Sequence, residues 1–235
     1  MKHIIKMGQP HELHLWFNSQ PVVDGRRINC SYKSDLPSDV KNIIKQQLLA
    51  EQGGLCCYTG VRINNQKSHI EHFKPQRLCQ NHEDVDYDNL LAAYPDDNTP
   101  CSFGAKAKDD WYNTQLLINP LREDCETHFR FDQYGDIKPA NEQDEPAKET
   151  ISRLRLDDDT LTDFRKQAIE TALFHKGKLL SVAKLQNITQ RYCERNSKQL
   201  FRPFCFVIIQ AAQELLRKAE RKRKRKQYGR QRGRK

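Results

Sequence analysis

Ser68-His69-Ile70-Glu71-His72-Phe73-Lys74-Pro75 places two imidazoles and a carboxylate within four residues and then stops on a proline. Read as a strand, its side chains alternate, so His69 and Glu71 share one face and His72 takes the other. An acid beside a histidine is a compact way to hold a divalent ion next to a general base. The carboxylate oxygen ligates the ion and the neutral imidazole takes a proton from water. The competing reading is a solvated polar strand with unrelated histidines, and the flanking sequence arbitrates between the two.

Upstream, Leu55-Cys56-Cys57-Tyr58-Thr59-Gly60-Val61-Arg62-Ile63 reads as a turn and then a strand. Asn64 to Lys67 form a polar turn, so this strand and Ser68–Phe73 are expected to make a hairpin. Before them, Ser38 is placed to cap a helix whose stripe is Val40, Ile43, Ile44 and Leu48, ended by Gly53-Gly54. Residues 1–36 show no clear period, with Trp16 and Phe17 as expected anchors.

Downstream, the chain is loop-like to Tyr87-Asp88-Asn89-Leu90-Leu91, then polar again from Tyr94 to Pro100. Cys101 to Lys108 follow, and a helix is expected from Asp109. Phe129 to Ile137 read as a short hairpin and residues 138–148 as a loop. Beyond that the chain is helical: Leu161, Phe164, Ala168 and Leu173, with Ile169 and Ala172, repeat at helical spacing. A last helix runs from about Pro203 to Leu216, with Phe204, Val207, Ile208, Ala211 and Leu215 on one face.

Charge and cysteines bound the function. The chain has 235 residues and a net charge of +9. The segment Arg217–Lys235 holds twelve Lys or Arg and one acid, a net +11, which leaves −2 for everything else. The basic character therefore belongs to a tail, and such a tail favours polyanions, with Arg221, Lys222, Arg223, Lys224, Arg225 and Lys226 as its densest run. No apolar run reaches the length of a membrane span. The N-terminus lacks a signal-peptide pattern, so a cytoplasmic protein without membrane contact is expected. The eight cysteines are then thiols or ligands rather than disulfides, Cys193 and Cys205 being read as buried packing residues.

The order of these pieces resembles the HNH (ββα-metal) endonucleases. Glu71-His72-Phe73-Lys74-Pro75 followed by Asn89-Leu90 is most similar to the PtuB subfamily, effectors of Septu and of retron anti-phage systems. Leu55-Cys56-Cys57-Tyr58, Ile118-Asn119-Pro120-Leu121-Arg122-Glu123-Asp124, Phe129-Arg130-Phe131 with Gly135, Glu149-Thr150-Ile151, and Leu154, Leu156, Leu161 and Arg165 extend the likeness over roughly residues 38–170. The resemblance implies an α+β chain: a small ββα-metal core embedded in mostly helical sequence, with a disordered or helical basic tail. The implied parts are an N-terminal arm and nuclease core over 1–150, a helical region over 151–216 and the tail over 217–235.

It further implies that His72 is the general base and that Glu71 ligates Mg²⁺ or Mn²⁺. Asn89 holds the loop and the base in position, and His69 is a possible support for the metal or phosphate. The implied substrate is DNA or RNA. The implied partners are a PtuA-type ABC ATPase and, in a retron, a reverse transcriptase with its RNA–DNA hybrid. Two departures stand out. Where many HNH proteins carry two Cys-x-x-Cys pairs on a structural Zn²⁺, this chain has Cys56-Cys57-Tyr58-Thr59 and Cys101-Ser102-Phe103-Gly104. No structural zinc is therefore expected, and Cys56 and Cys101 are read as packing residues. The helix ligand would fall near Ala105, which cannot ligate, leaving Asp109, Asp110 or Asn98 as substitutes. The alternative function is a catalytically inactive HNH-fold subunit that binds nucleic acid or serves as a scaffold.

Overall fold

A computed structural model describes residues 1–232, with side chains through Arg225; Lys226 of the basic run has its side chain outside the described residues. The fold is α+β, with helices surrounding small antiparallel strand pairs over one continuous apolar cluster. No described helix is long and apolar enough to cross a membrane.

The N-terminal residues enter the core directly. Met1 and Ile4 are buried, and Ile4 N–H donates to Pro120 O. Helix α1 (His11–Ser19) is anchored by Leu13, its buried residue, whereas Trp16 and Phe17 are only half-buried. A two-residue ribbon follows, β1 (Val22–Val23) against β2 (Arg26–Arg27). Helix α2 (Ser38–Glu51) buries Val40, Ile44 and Leu48, as its 3.6-residue stripe requires. Ser38 stands inside the helix rather than capping it, because Pro37 fills the cap position.

The strand pairing differs from expectation. Residues 55–63 form a tight knuckle closed by one bridge, Leu55 to Arg62, with Cys56 N–H donating to Val61 O. At its tip Gly60 has φ +78, and a Cβ there would meet the Phe206 ring at 2.6 Å, so no other residue fits without displacing that ring. With the knuckle folded on itself, β3 (His69–His72) pairs instead with β4 (Leu90–Ala93), Glu71 opposite Leu91 and His72 opposite Leu90. All four residues of β4 are buried. The outward amide of Ala92 is satisfied by Gln52, whose side chain accepts from Ala92 N–H at 2.7 Å and donates to its carbonyl at 2.8 Å.

The short helix α3 (Ala105–Lys108) ends at Asp109 instead of starting there. Gly104 at φ 68 opens it and Asp109 at φ 47 closes it, two left-handed residues that confine it to one turn. Thus β3, β4 and α3 make the ββα unit. Beyond it come the hairpin β5 (Phe129–Phe131) with β6 (Ile137–Pro139), then α4 (Glu145–Arg153) and α5 (Asp159–Leu173). A second ribbon, β7 (Phe174–His175) with β8 (Lys178–Leu179), leads to α6 (Val182–Cys193).

In α5 the buried stripe is Leu161, Arg165, Ile169 and Leu173; Phe164 is turned outward. Arg165 takes the inner place because each of its three side-chain nitrogens finds an acceptor, Gly135 O at 2.6 Å, Leu156 O at 2.8 Å and Thr162 Oγ1 at 2.9 Å. Cys193, at the end of α6, is exposed, while Cys205 is buried. Helix α7 (Cys205–Arg232) runs from the core through the basic segment without a break. Its root packs on the knuckle and on Phe131, and from Arg217 to Arg225 its side chains are mostly exposed.

Candidate active site

Glu71 is buried on the inner face of β3, and its two carboxylate oxygens have different surroundings. Oε1 receives Lys108 Nζ at 2.8 Å and the Tyr58 hydroxyl at 3.2 Å. Oε2 faces His69 Nε2 at 3.8 Å. Burial alone would raise this carboxyl, but the contacts with His69 and Lys108 outweigh it and hold Glu71 below its ordinary value. It is an anion at neutral pH.

His69 sits two residues away on the same face, as the strand alternation requires. Its Nδ1 lies 2.5 Å from Pro95 O. A carbonyl only accepts, so Nδ1 carries a proton; burial would lower this imidazole, but its contacts with Glu71 and the Pro95 carbonyl outweigh it and raise it above its ordinary value, which favours a proton on Nε2 facing the carboxylate as well. Once its Nε2 proton is displaced, His69 would stand beside Glu71 Oε2 as a second ligand from the same strand. Neighbouring ligands of an octahedral ion at about 2.1 Å lie about 3.0 Å apart, so the 3.8 Å between these two atoms would close by a small side-chain adjustment on sharing one ion. Among the described residues no third His, Cys, Asp or Glu joins them. Asp110 is engaged by Arg77 at 2.5 Å, Asn98 is exposed, and Ala105 has no donor. A site with two protein donors fits Mg²⁺ or Mn²⁺, which complete their shells with water and substrate phosphate oxygens.

His72 points to the opposite side of β3. Its Nε2 lies 2.9 Å from Asp84 O, so this nitrogen carries the proton. Its Nδ1 accepts from the Gln76 amide at 3.3 Å. Burial holds the ring below the ordinary imidazole value, against the opposing pull of the Asp84 carbonyl bond and the Glu71 charge, which leaves it neutral at pH 7. Tyr32 stands edge-on to the ring, with centroids 4.5 Å apart. The Tyr32 amide is itself held by the Asp84 carboxylate at 2.8 Å.

Asn89 lies just before β4 and staples the loop that orients this ring. Its Oδ1 accepts from Lys74 N–H at 2.7 Å, and its Nδ2 donates to Lys74 O and to Glu83 O at 3.1 and 2.9 Å. The carbonyl of Glu83 is thus fixed by Asn89, and the next one, that of Asp84, receives His72. Asn89 reaches the imidazole through the backbone it holds and does not touch it.

No family model matches this chain. A curated protein of Vibrio cholerae serotype O1 biovar El Tor, named "Retron Vc95 putative HNH endonuclease", is 30% identical over 142 residues. The alignment covers 57% of this chain and 67% of that protein. The chain belongs to the HNH nuclease family.

In this HNH chain the two cysteine knuckles are altered in a coordinated way. Thr59 and Gly104 stand where the second ligand of each would be, and a Cβ on Gly104 would lie 3.2 Å from the Thr59 methyl. The altered positions thus face each other. Cys56 is buried; burial would raise its thiol, but hydrogen bonds from Cys57, Thr59 and the Tyr94 amide outweigh it and bring it down to about 6. Cys101 is half-buried, and burial pushes its thiol up.

Lys108 is the residue that sequence reasoning missed. The lysines of the 101–108 turn were visible in the sequence, but one turn of helix aims Lys108 inward at Glu71 while Lys106 reaches the Asp97 carbonyl at the surface. Tyr58, Gln76 and Asp84 were equally without a role, because each acts through a tertiary contact or a backbone carbonyl that no motif displays.

Proposed function

We propose that this chain is a metal-dependent nuclease that hydrolyses phosphodiester bonds, acting as the effector of an anti-phage defence system of the PtuB kind. The observation that carries the reading is the state of His72: a neutral imidazole whose Nε2–H is tied to a backbone carbonyl and whose Nδ1 lone pair is met only by the long Gln76 contact, which a water can replace to give up its proton. The next residue back supplies the anion, Glu71, with one oxygen 3.8 Å from His69 Nε2. When bound by Glu71 and His69, a divalent ion would polarise the scissile phosphate and stabilise charge on the leaving oxygen.

The chain's own groups do the rest. His72 Nδ1 accepts the proton of the attacking water as the water oxygen bonds to phosphorus and the opposite P–O bond breaks. The Asp84 carbonyl stabilises the imidazolium that forms, and Asn89 keeps that carbonyl in place. Gln76, 3.3 Å from Nδ1, is placed to hand its position to the water or to orient it. The exposed cations Arg221 to Arg225 on α7 supply non-specific phosphate contacts.

In this reading the V. cholerae relative's retron name extends to the context of this chain, with a PtuA-type ATPase and a reverse transcriptase carrying its RNA–DNA hybrid as partners of the class to look for. A second reading, a binding subunit without activity, draws on Ala105 at the helix start, which removes one ligand from the site. Incubating the purified chain with supercoiled plasmid and with total RNA separates them. Cleavage that EDTA stops and Mg²⁺ or Mn²⁺ restores is the expected result. Absence of cutting, alone and with the co-expressed ATPase, favours the binding subunit.

A further inference from the structure

The Lys108 side chain is 1% exposed, and its ammonium has an acceptor for each proton: Glu71 Oε1 at 2.8 Å, His72 O at 3.2 Å and Asp109 O at 3.3 Å. It is a fixed internal cation, bolting α3 to β3 at the two residues of the candidate site. Its place on Oε1 leaves Glu71 only one oxygen for any other cation. It also cancels the Glu71 charge. As a ligand His69 would be the neutral imidazole, Tyr58 is a neutral donor, and Asp97, the other acid near His69, is exposed on a loop whose carbonyl already holds Lys106. Counted with Lys108, the Glu71–His69 set thus carries no net negative charge, whereas dedicated sites for divalent ions gain their affinity from several carboxylates. At such short range a buried ammonium opposes a second cation strongly.

We propose that Lys108 keeps this site electrically neutral, so that a divalent ion is retained only together with a nucleic-acid phosphate, which brings the missing negative charge. This rests on the reading that Glu71 and His69 hold the ion. The chain alone is then idle and nearly metal-free, and metal and substrate assemble the site together. By linkage each must tighten the other by the same factor.

The test is Mn²⁺ binding, read from the free-ion signal in electron paramagnetic resonance, on the full chain carrying His72→Ala so that nothing is cut. Titrations are run without nucleic acid, with a 20-base-pair DNA duplex and with the RNA duplex of the same sequence; Glu71→Gln in the same background subtracts ions held by the duplex alone. The expected result is tightening by roughly 5–150-fold with the substrate duplex. Lys108→Met should bind Mn²⁺ more tightly without nucleic acid and lose most of the coupling, and Lys108→Arg, which keeps the charge, should retain it. Equal affinity with and without either duplex overturns the proposal, as does a folded Lys108→Met with unchanged affinity. If Lys108→Met does not fold, the duplex arms and Lys108→Arg decide. No Glu71-dependent Mn²⁺ binding in any arm overturns the metal assignment itself, and the proposal with it.

Discussion

The ββα unit and the helical half both bury a charged side chain, and they use it in opposite ways. In α5, Arg165 is enclosed with each side-chain nitrogen bonded, to Gly135, Leu156 and Thr162. Burial lowers the guanidinium to about 10, still charged at neutral pH, and nothing around it is left open. In β3, Glu71 is also buried and paired, yet its Oε2 has only the His69 ring at 3.8 Å, and the adjacent residue is a neutral histidine whose Nδ1 meets only the Gln76 amide at 3.3 Å. A buried charge whose bonding is complete holds a fold together. One whose bonding is complete on one side only has room for a further partner. Burial and an altered pKa do not separate the two cases, but an account of each lone pair and proton does.

Four substitutions can break or sharpen that contrast. The largest effect is expected at His72. His72→Ala removes the proton acceptor and should slow cleavage by about 10²–10⁴-fold. The ring is buried against Tyr32, so some loss of thermal stability is expected as well, and the rates are compared at equal folded fraction. Wild-type plasmid nicking by the mutant would remove His72 from the reaction.

Arg165→Met is the mirror case. It leaves the Gly135 and Leu156 carbonyls without their donor in the interior, a cost of about 1–3 kcal/mol. Urea unfolding should show that loss, while the metal-dependent rate of the folded fraction stays at the wild-type value. A large fall in rate at full folding would mean that the helical half takes part in the chemistry.

Asn89→Ala lies between these extremes, because it acts on the base only through the loop it staples. A fall of roughly 10–100-fold in single-turnover rate is expected, with substrate binding retained. An effect equal to that of His72→Ala would show that Asn89 meets the substrate itself.

The smallest effect is expected from deleting 217–235. The folded body should keep its stability, because exposure begins along α7 at that point. Affinity for a DNA duplex should fall and its dependence on salt should flatten, as each lost phosphate contact removes about 0.9 from the log–log slope. Coincident slopes for the full-length and truncated chains would rule out a nucleic-acid arm.

Much of this was legible in the chain itself, wherever the cause is local. Alternation along 69–72 put His69 with Glu71 and turned His72 away, because a strand has no other choice. The stripes of α2 and α7 followed from helical period. The knuckle departures at Thr59 and Gly104 and the missing donor at Ala105 are matters of residue identity. The charge of 217–235 is equally plain from composition.

Only the tertiary structure decided the rest, and for one reason: partners distant in sequence compete for the same groups. Residues 55–63 have strand-like composition, but Gly60 and the Phe206 ring close them into a knuckle, so β3 takes β4 as its partner. Phe164 fits the apolar stripe of α5, yet Arg165 is the residue inside, since carbonyls from two other segments await its donors. Lys108 reads as one of several lysines in a polar turn. A single turn of helix, fixed by left-handed residues at both ends, carries its ammonium 37 positions back along the sequence to Glu71, and no local pattern encodes that meeting.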